Sequence, residues 1–360
     1  MKILVVVGFH DDTPSGGRKI LYEYSNLLAA DGHDVEMKFV ANTQFPGRKR
    51  NLLVNVKNVI RYIRDVKKQY DVSWFKLNKK IKISTIFRSS QIDYSGFDRV
   101  ILFSFAIALG VDLTNNNPEK FFYFVQADEK VNYDTRVVRK AWQLPIRKIA
   151  VSKWLANQVS TYDSNVKVVQ NYVDVNEFYI TRPIASRKAI ALLNHASPAK
   201  GTAFGIDVLQ KVLVKFPNTE IIMFGNPTKP DNLPFDVTYY QSANHNELRE
   251  KVYNKAAVFL FTSKLEGWGL VASEAMASGA TLVTTKNGGV EDFALQNQTA
   301  LLGEFGEVDQ MVENITTLLS NEQYRVRLAQ AGALEMENFT IEKSFSKFKR
   351  ALNIDDKATE

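Results

Sequence analysis

At 360 residues the chain exceeds what one hydrophobic core ordinarily supports, so two domains of about 150–200 residues each are expected. Its apolar content of 45% and charged content of 24% are those of an ordinary globular protein, and the absence of cysteine excludes a disulfide scaffold and thiolate chemistry, consistent with a reducing compartment. The formal net charge of +7 is unevenly spread: residues 48–82 hold twelve Lys or Arg against Asp65 and Asp71, a net of +10, leaving about −3 for the rest of the chain.

The opening MKILVVVGFH has too short an apolar run for a signal-peptide core or a membrane span. It predicts a first buried strand over 3–9, and with it a cytoplasmic location. A polar glycine turn, DDTPSGG, leads into the helix RKILYEYSNLLAADG, whose Ile20, Leu21, Tyr24, Leu27 and Leu28 recur at helical spacing before Gly32 closes it. DVEMKFV follows as a strand, so the chain opens with a strand, helix, strand unit of the doubly wound type. Further strands are predicted over 99–105, 120–126, 148–152 and 166–171. The charged, proline-containing stretch 177–189 reads as an interdomain linker.

A second series of strands follows over 189–195, 219–225, 236–241, AVFLFT and ATLVTT, with helices near 202–216, 245–255, 270–278 and 308–333. FTIEKSFSKFKRAL predicts a last helix with Ile341, Phe345, Phe348 and Leu352 on one side. No repeat of fixed short period is present. The expected fold class is α/β, with two Rossmann-like doubly wound domains facing a cleft. An N-terminal domain would cover 1–182, a C-terminal domain 183–335, and a last helical segment 336–360.

Within the basic segment, Leu52, Val56, Val59, Ile60, Ile63 and Val66 fall on one helical face and Lys57, Arg61, Arg64 and Lys68 on another, flanked by Trp74 and Phe75. One reading is an anionic membrane surface as partner for 48–82, with the protein peripheral on the inner face of the cell membrane. The other is a helix packed by its apolar face on the first domain's sheet, with a solvated basic face. No nucleic-acid partner is expected, since no recognised binding module is present.

The chemistry concentrates in EGWGLVASEAMASG, where Glu266 and Glu274 stand seven residues apart at a strand-to-helix junction. VFLFTS upstream reads as a buried parallel strand, and ASEAMASG as a helix closed by Gly279. The amides of residues 268–272 then lie at a helix start, where orphan donors and the positive end of the dipole attract a diphosphate. Two carboxylates beside an anion site suit sugar hydroxyls, one on a ribose and one on a transferred hexose. The competing reading is a pair of solvated first-turn glutamates. Lys200, before Gly201 in a loop after a strand, is placed to meet a diphosphate, with a solvated lysine as the alternative. Gly16 and Gly17, at the carboxyl end of the first strand, would let the backbone approach donor or acceptor, or form a simple turn.

EGWGLVASEAMASGATLVTT resembles the signature of the family 4 retaining glycosyltransferases, E-G-F-G-L-x-x-x-E-A-M-A-x-G-x-P-V-V. HASPAKG (195–201) resembles the R-x-x-x-x-K-G loop of that family, NYVDVNEF (171–178) its N-G-V-D-x-x-x-F, TKNGGVEDF (285–293) its G-G-x-x-E segment, and TPSGGRKILYEYSNLLAADGHDV its first glycine loop and helix. The resemblance covers most of the chain and implies the GT-B fold. It also implies transfer of a sugar with retention from a nucleotide diphosphate sugar to a glycan or lipid-linked acceptor, in cell-surface polysaccharide synthesis.

On that resemblance Glu266, Lys200 and Gln126 are the catalytic positions, and Gly16, Gly17, His195, Gly269, Leu270, Val271 and Glu274 bind substrate. No metal and no cofactor beyond the donor itself is expected, because Lys200 and the amides of 269–271 can stabilise the leaving diphosphate. Two positions depart from the family. His195 stands where an arginine is usual, and it cannot supply a guanidinium fork. Gln126 stands where many members carry a histidine; it can bond a sugar hydroxyl but cannot act as a general base. Asp128 and Glu129 are the carboxylates nearby, readable as acceptor-orienting groups or as surface charge. A catalytically inactive GT-B accessory subunit, a sugar-nucleotide epimerase and a phosphorylase stay open as other classes. The phosphorylase lacks a recognisable lysine anchor for pyridoxal phosphate.

Overall fold

The computed structural model describes residues 1–9, 14–43, 52–67 and 72–354. The chain divides into two compact units, residues 1–169 with 345–360, and residues 170–344.

The first unit is built on seven parallel strands: β1 (Lys2–Gly8), β2 (Asp34–Val40), β3 (Lys82–Ile86), β4 (Arg99–Leu102), β5 (Phe121–Val125), β6 (Arg147–Ala150) and β7 (Val166–Val168), in the order β3-β2-β1-β4-β5-β6-β7. The continuous apolar run of β1 is what a parallel strand covered on both faces requires, and Ile3 to Val7 are fully buried. Its registers, Ile3 opposite Val35 on one side and Val6 opposite Leu102 on the other, put β1 and β4 at the point where strand order reverses. Helix α1 (Gly16–Ala30) starts beyond the carboxyl end of β1 and buries Ile20, Leu21, Tyr24 and Leu28. Tyr24 stacks on Phe348 at 4.4 Å between ring centroids and also meets Phe345 and Phe124, so the C-terminal helix Ile341–Ala351 closes the apolar face of α1. The Arg99 guanidinium fixes the end of that helix by donating to the carbonyls of Leu352 and Asn353.

The second unit holds β8 (Ala189–Leu193), β9 (Ile221–Gly225), β10 (Thr238–Gln241), β11 (Ala256–Phe261), β12 (Thr281–Thr285) and β13 (Ala300–Gly303), all parallel, in the order β10-β9-β8-β11-β12-β13. Here strand order reverses between β8 and β11. Ile190, Leu192, Val258, Leu260 and Val283 form its core with Val208 and Leu209 of the helix Thr202–Lys215 and Met311 and Ile315 of the helix Val308–Ser320.

Four differences from the sequence reading have local causes. β3 and β13 were not expected as strands: β3 is a half-exposed edge of mixed polarity, and β13 is only four residues long. The single helix expected over 308–333 is two, broken at Asn321, whose side chain caps the second by accepting from the Tyr324 amide at 2.9 Å. The stretch 177–189 is not a linker but lies within the second unit. Arg187 in it is buried and donates to the carbonyls of Tyr253, Ser278 and Arg182 and to Oδ1 of Asn254.

In helix α2 (Leu52–Lys67) five of the six residues of the expected apolar face do not cover the sheet, and the side chain of the sixth, Leu52, lies outside the description. Val56, Val59, Ile60, Ile63 and Val66 are exposed, whereas Asn58 and Asp65 are buried. Lys68, with residues 48–51 and 69–71 of the basic segment and the first three residues of the DDTPSGG turn, lies outside the described residues.

Candidate functional site

In doubly wound sheets ligands bind beyond the carboxyl ends of the strands, where strand order reverses. In the second unit that place is formed by the loops after β8 and β11, and the signature residues lie there. After β8 the chain makes a short turn at Pro198–Lys200 and passes through Gly201 in the left-handed conformation, φ 68°. A Cβ at Gly201 would stand 2.0 Å from the Thr262 carbonyl oxygen, so only glycine fits. The loop is stitched to the end of β11 by the Lys264 amide, which donates to the Ala199 carbonyl at 2.7 Å, and by the Thr262 hydroxyl, which donates to the Gly201 carbonyl at 2.9 Å. This fixes the Lys200 backbone while its side chain reaches Glu266: Nζ donates to Oε1 at 2.7 Å.

Glu266 is in turn set by the Asn-Gly-Gly turn after β12. Its amide donates to the Asn287 carbonyl at 2.9 Å and its carbonyl accepts from the Gly289 amide at 3.1 Å. A Cβ at Gly289 would lie 2.4 Å from the Trp268 nitrogen, which explains the second glycine of TKNGG. Trp268 itself is buried against Phe293 and Phe339 and anchors the loop from below.

Gly269, left-handed at φ 99°, then turns the chain into the helix Leu270–Ala277. Gly269, Leu270 and Val271 therefore carry the first amides of this helix, the ones an α-helix leaves without an internal acceptor. Glu274 lies one turn further on, where its Oε2 accepts from the Tyr253 hydroxyl at 3.0 Å. Tyr253 ends a π-helical turn over Leu248–Tyr253 and is clamped by Phe178, Phe224 and Phe259. Burial, then the nearby Glu274 carboxylate, holds its phenol well above the ordinary range, so it stays a donor. Arg187, through the Tyr253 and Ser278 carbonyls, ties the residue that orients Glu274 to the end of the helix that carries it.

His195 follows β8. Its Nδ1 accepts from the Ser197 amide at 2.9 Å, and its own amide donates to the Thr202 hydroxyl at 3.0 Å. Burial and then the Lys200 ammonium hold the ring below its usual pKa, so at pH 7 it adds no positive charge to the loop.

Gly16, Gly17 and Gln126 belong to the first unit. Gly16 opens α1, and a Cβ on Gly17 would stand 3.3 Å from that of Gln126, so the structure brings the glycine pair and the end of β5 together. Glu129, beside them in sequence, is not surface charge. It accepts from the Tyr123 hydroxyl and, at 3.3 Å, from the Phe105 amide, and burial raises its carboxyl to about 7. Asp128 instead caps a short turn, accepting from the Lys130 amide at 3.0 Å.

Sequence reasoning missed Tyr253, Arg187 and the inward turn of Glu129. Arg187 stands between Ser186 and Lys188 in a charged, proline-containing stretch, a pattern that reads as a linker.

Residues 181–335 match the sequence model of the glycosyl transferases group 1 family. The D-inositol 3-phosphate glycosyltransferase of Corynebacterium efficiens is 25% identical over 169 residues, 42% of this chain; the aligned segment spans 39% of that protein's length. Among solved structures, sucrose-phosphate synthase from Thermosynechococcus elongatus superposes with a TM-score of 0.73 at 16% identity, covering 98% of each chain. The Anabaena protein HepE, in a complex with UDP and glucose, gives 0.71 at 15% identity, covering 98% of this chain and 99% of that one. The second unit thus carries the sequence pattern of the group 1 glycosyl transferases, in a chain whose two Rossmann-like units have the GT-B fold.

Proposed function

We propose that the protein is a retaining glycosyltransferase of the family 4 type. It would move a sugar from a nucleotide diphosphate sugar to a glycan or lipid-linked acceptor in cell-surface polysaccharide synthesis, at the cytoplasmic side of the membrane. The observation that carries this reading is the convergence of Lys200, Glu266, the first amides of the helix Leu270–Ala277 and the Tyr253-oriented Glu274 within one unit. Two anion-binding features and two carboxylates in one place fit a sugar joined to a diphosphate and a ribose.

Glu274 accepts the ribose hydroxyls and Glu266 those of the transferred sugar. The amides of Gly269, Leu270 and Val271, with Lys200, stabilise the charge that develops on the diphosphate as its bond to the anomeric carbon breaks. With that charge held by a lysine and a helix start, no metal ion and no cofactor is needed. His195 contributes backbone shape and a neutral ring. Gly16 and Gly17 admit the ligand's backbone-close groups, and Gln126 bonds a sugar hydroxyl. Support for a nucleotide sugar as donor also comes from HepE, whose solved complex holds UDP and glucose. The anionic inner membrane surface is the proposed further partner, through the segment 48–82.

Incubation with a panel of nucleotide diphosphate sugars, water serving as acceptor, tests this reading. Slow release of the nucleoside diphosphate from one donor, chelator-insensitive and with the first-formed free sugar keeping the donor's anomeric configuration, is expected. An inverted product, or activity that needs manganese, contradicts it.

A further inference from the structure

We propose that the outward face of α2 is a docking surface for an anionic lipid bilayer. Soluble helices bury their apolar stripe; α2 exposes one. Val56, Val59, Ile60, Ile63 and Val66 are exposed by 51%, 42%, 62%, 48% and 50%, while Asn58 and Asp65 are 9% and 2% exposed. At helical spacing the five aliphatic residues form one continuous ridge.

The opposite side is occupied by polar contacts within the unit. Asn58 donates to Oδ1 of Asn42 at 3.3 Å, and the Arg61 guanidinium lies 3.9 Å from the centre of the Phe9 ring. Arg61 is therefore an inner residue rather than part of a free basic face. Lys57 and Arg64, one heptad apart, border the ridge on one side and are exposed.

Charge complementarity selects the occupant. Within α2 four cations, Lys57, Arg61, Arg64 and Lys67, stand against Asp65, so a second copy would set two positively charged helices against each other, whereas an anionic surface neutralises them. Branched aliphatic side chains edged by cations suit the headgroup boundary of an acidic bilayer, with the ridge in the acyl region and the cations at the phosphates. Among the described residues no helix is long and apolar enough to cross a membrane, and α2, at 16 residues, would lie in the interface. The inference extends the proposed membrane partner and does not depend on the proposed chemistry.

The test is sedimentation of the full chain with vesicles of equimolar phosphatidylglycerol and phosphatidylcholine, against vesicles of phosphatidylcholine alone. The parent should partition onto the acidic vesicles, less as salt rises, and the triple variant Val59→Ser, Ile60→Ser, Ile63→Ser should partition at least about tenfold less. Its substitutions lie on exposed side chains, so its thermal unfolding should match the parent's. Should it fail to fold, Ile60→Trp replaces it: its emission must shift to the blue and be quenched by brominated acyl chains on acidic vesicles. Equal sedimentation of parent and triple variant, equal binding to both vesicle types, or an unshifted tryptophan overturns the proposal. So does a parent that binds no vesicle but forms a dimer that the triple variant loses, which would make a second copy the occupant.

Discussion

The Lys200 ammonium and the Glu266 carboxylate stand 2.7 Å apart, so the cation assigned to a diphosphate is already neutralised by the carboxylate assigned to a sugar. The side chains are 30% and 11% exposed, placing the pair at the rim of the site, where solvent screens it only in part. A bound diphosphate must share Lys200 with Glu266. Replacing Glu266 by Gln removes that competition while keeping shape. Glu266→Gln should therefore bind a nucleoside diphosphate as tightly as the parent or a few-fold more tightly, yet transfer sugar more than about tenfold slower. Lys200→Ala should lose both, and lose the diphosphate more than the monophosphate. Steady-state kinetics beside equilibrium binding separate the two patterns, and parallel losses of affinity in both variants would argue that Glu266 touches the diphosphate region only as a structural partner.

Tyr253→Phe keeps the ring between Phe178, Phe224 and Phe259 but removes the hydroxyl that donates to Glu274. A hydrogen bond to a charged acceptor contributes about 1.5 kcal/mol or more, so donor affinity should fall roughly tenfold with turnover at saturation little changed. A fall in kcat with unchanged KM would place Glu274 at the reacting bond instead of the nucleotide.

Burial raises the Glu129 carboxyl to about 7, whereas in the unfolded chain it titrates near its usual value of 4.5. The folded state therefore holds this proton more tightly. Relative to unfolding, the contribution is unpenalised below about pH 4.5 and grows unfavourable as pH rises toward 7, where the buried group must ionise. Glu129→Gln keeps one acceptor oxygen for the Tyr123 hydroxyl and the Phe105 amide and cannot ionise. The stability difference between Glu129→Gln and the parent should move in favour of glutamine between pH 5 and pH 8, read by denaturant titration at each pH. A difference that stays flat would mean that Glu129 is solvated and titrates normally.

The parallel strands were legible because a strand covered on both faces must be apolar along its length, and ILVVV and VFLF are. The glycine of HASPAKG was legible as part of a loop and those of TKNGG only through a family resemblance, and the reason for either was not legible. Gly201 and Gly289 are required by the Thr262 carbonyl and the Trp268 amide, groups far away in the chain. Periodicity disclosed that α2 is two-faced without saying which face meets the protein, since the pattern is the same for a core and for a membrane. Tyr253 and Arg187 carry no local signal of their role: each acts through a partner 21 and 91 residues away, on Glu274 and on the Ser278 carbonyl.

Calorimetric titration of nucleoside diphosphates into the parent and into Glu274→Ala tests the central claim most directly, that the second unit is a nucleotide-sugar site organised around Glu274. The parent should bind one nucleoside diphosphate selectively. Loss of a carboxylate that accepts from the ribose should weaken it by about 1.5–3 kcal/mol, roughly ten- to a hundredfold, with the variant still folded. Unchanged affinity of Glu274→Ala for every nucleotide that binds the parent, or a parent that binds none, would contradict the account.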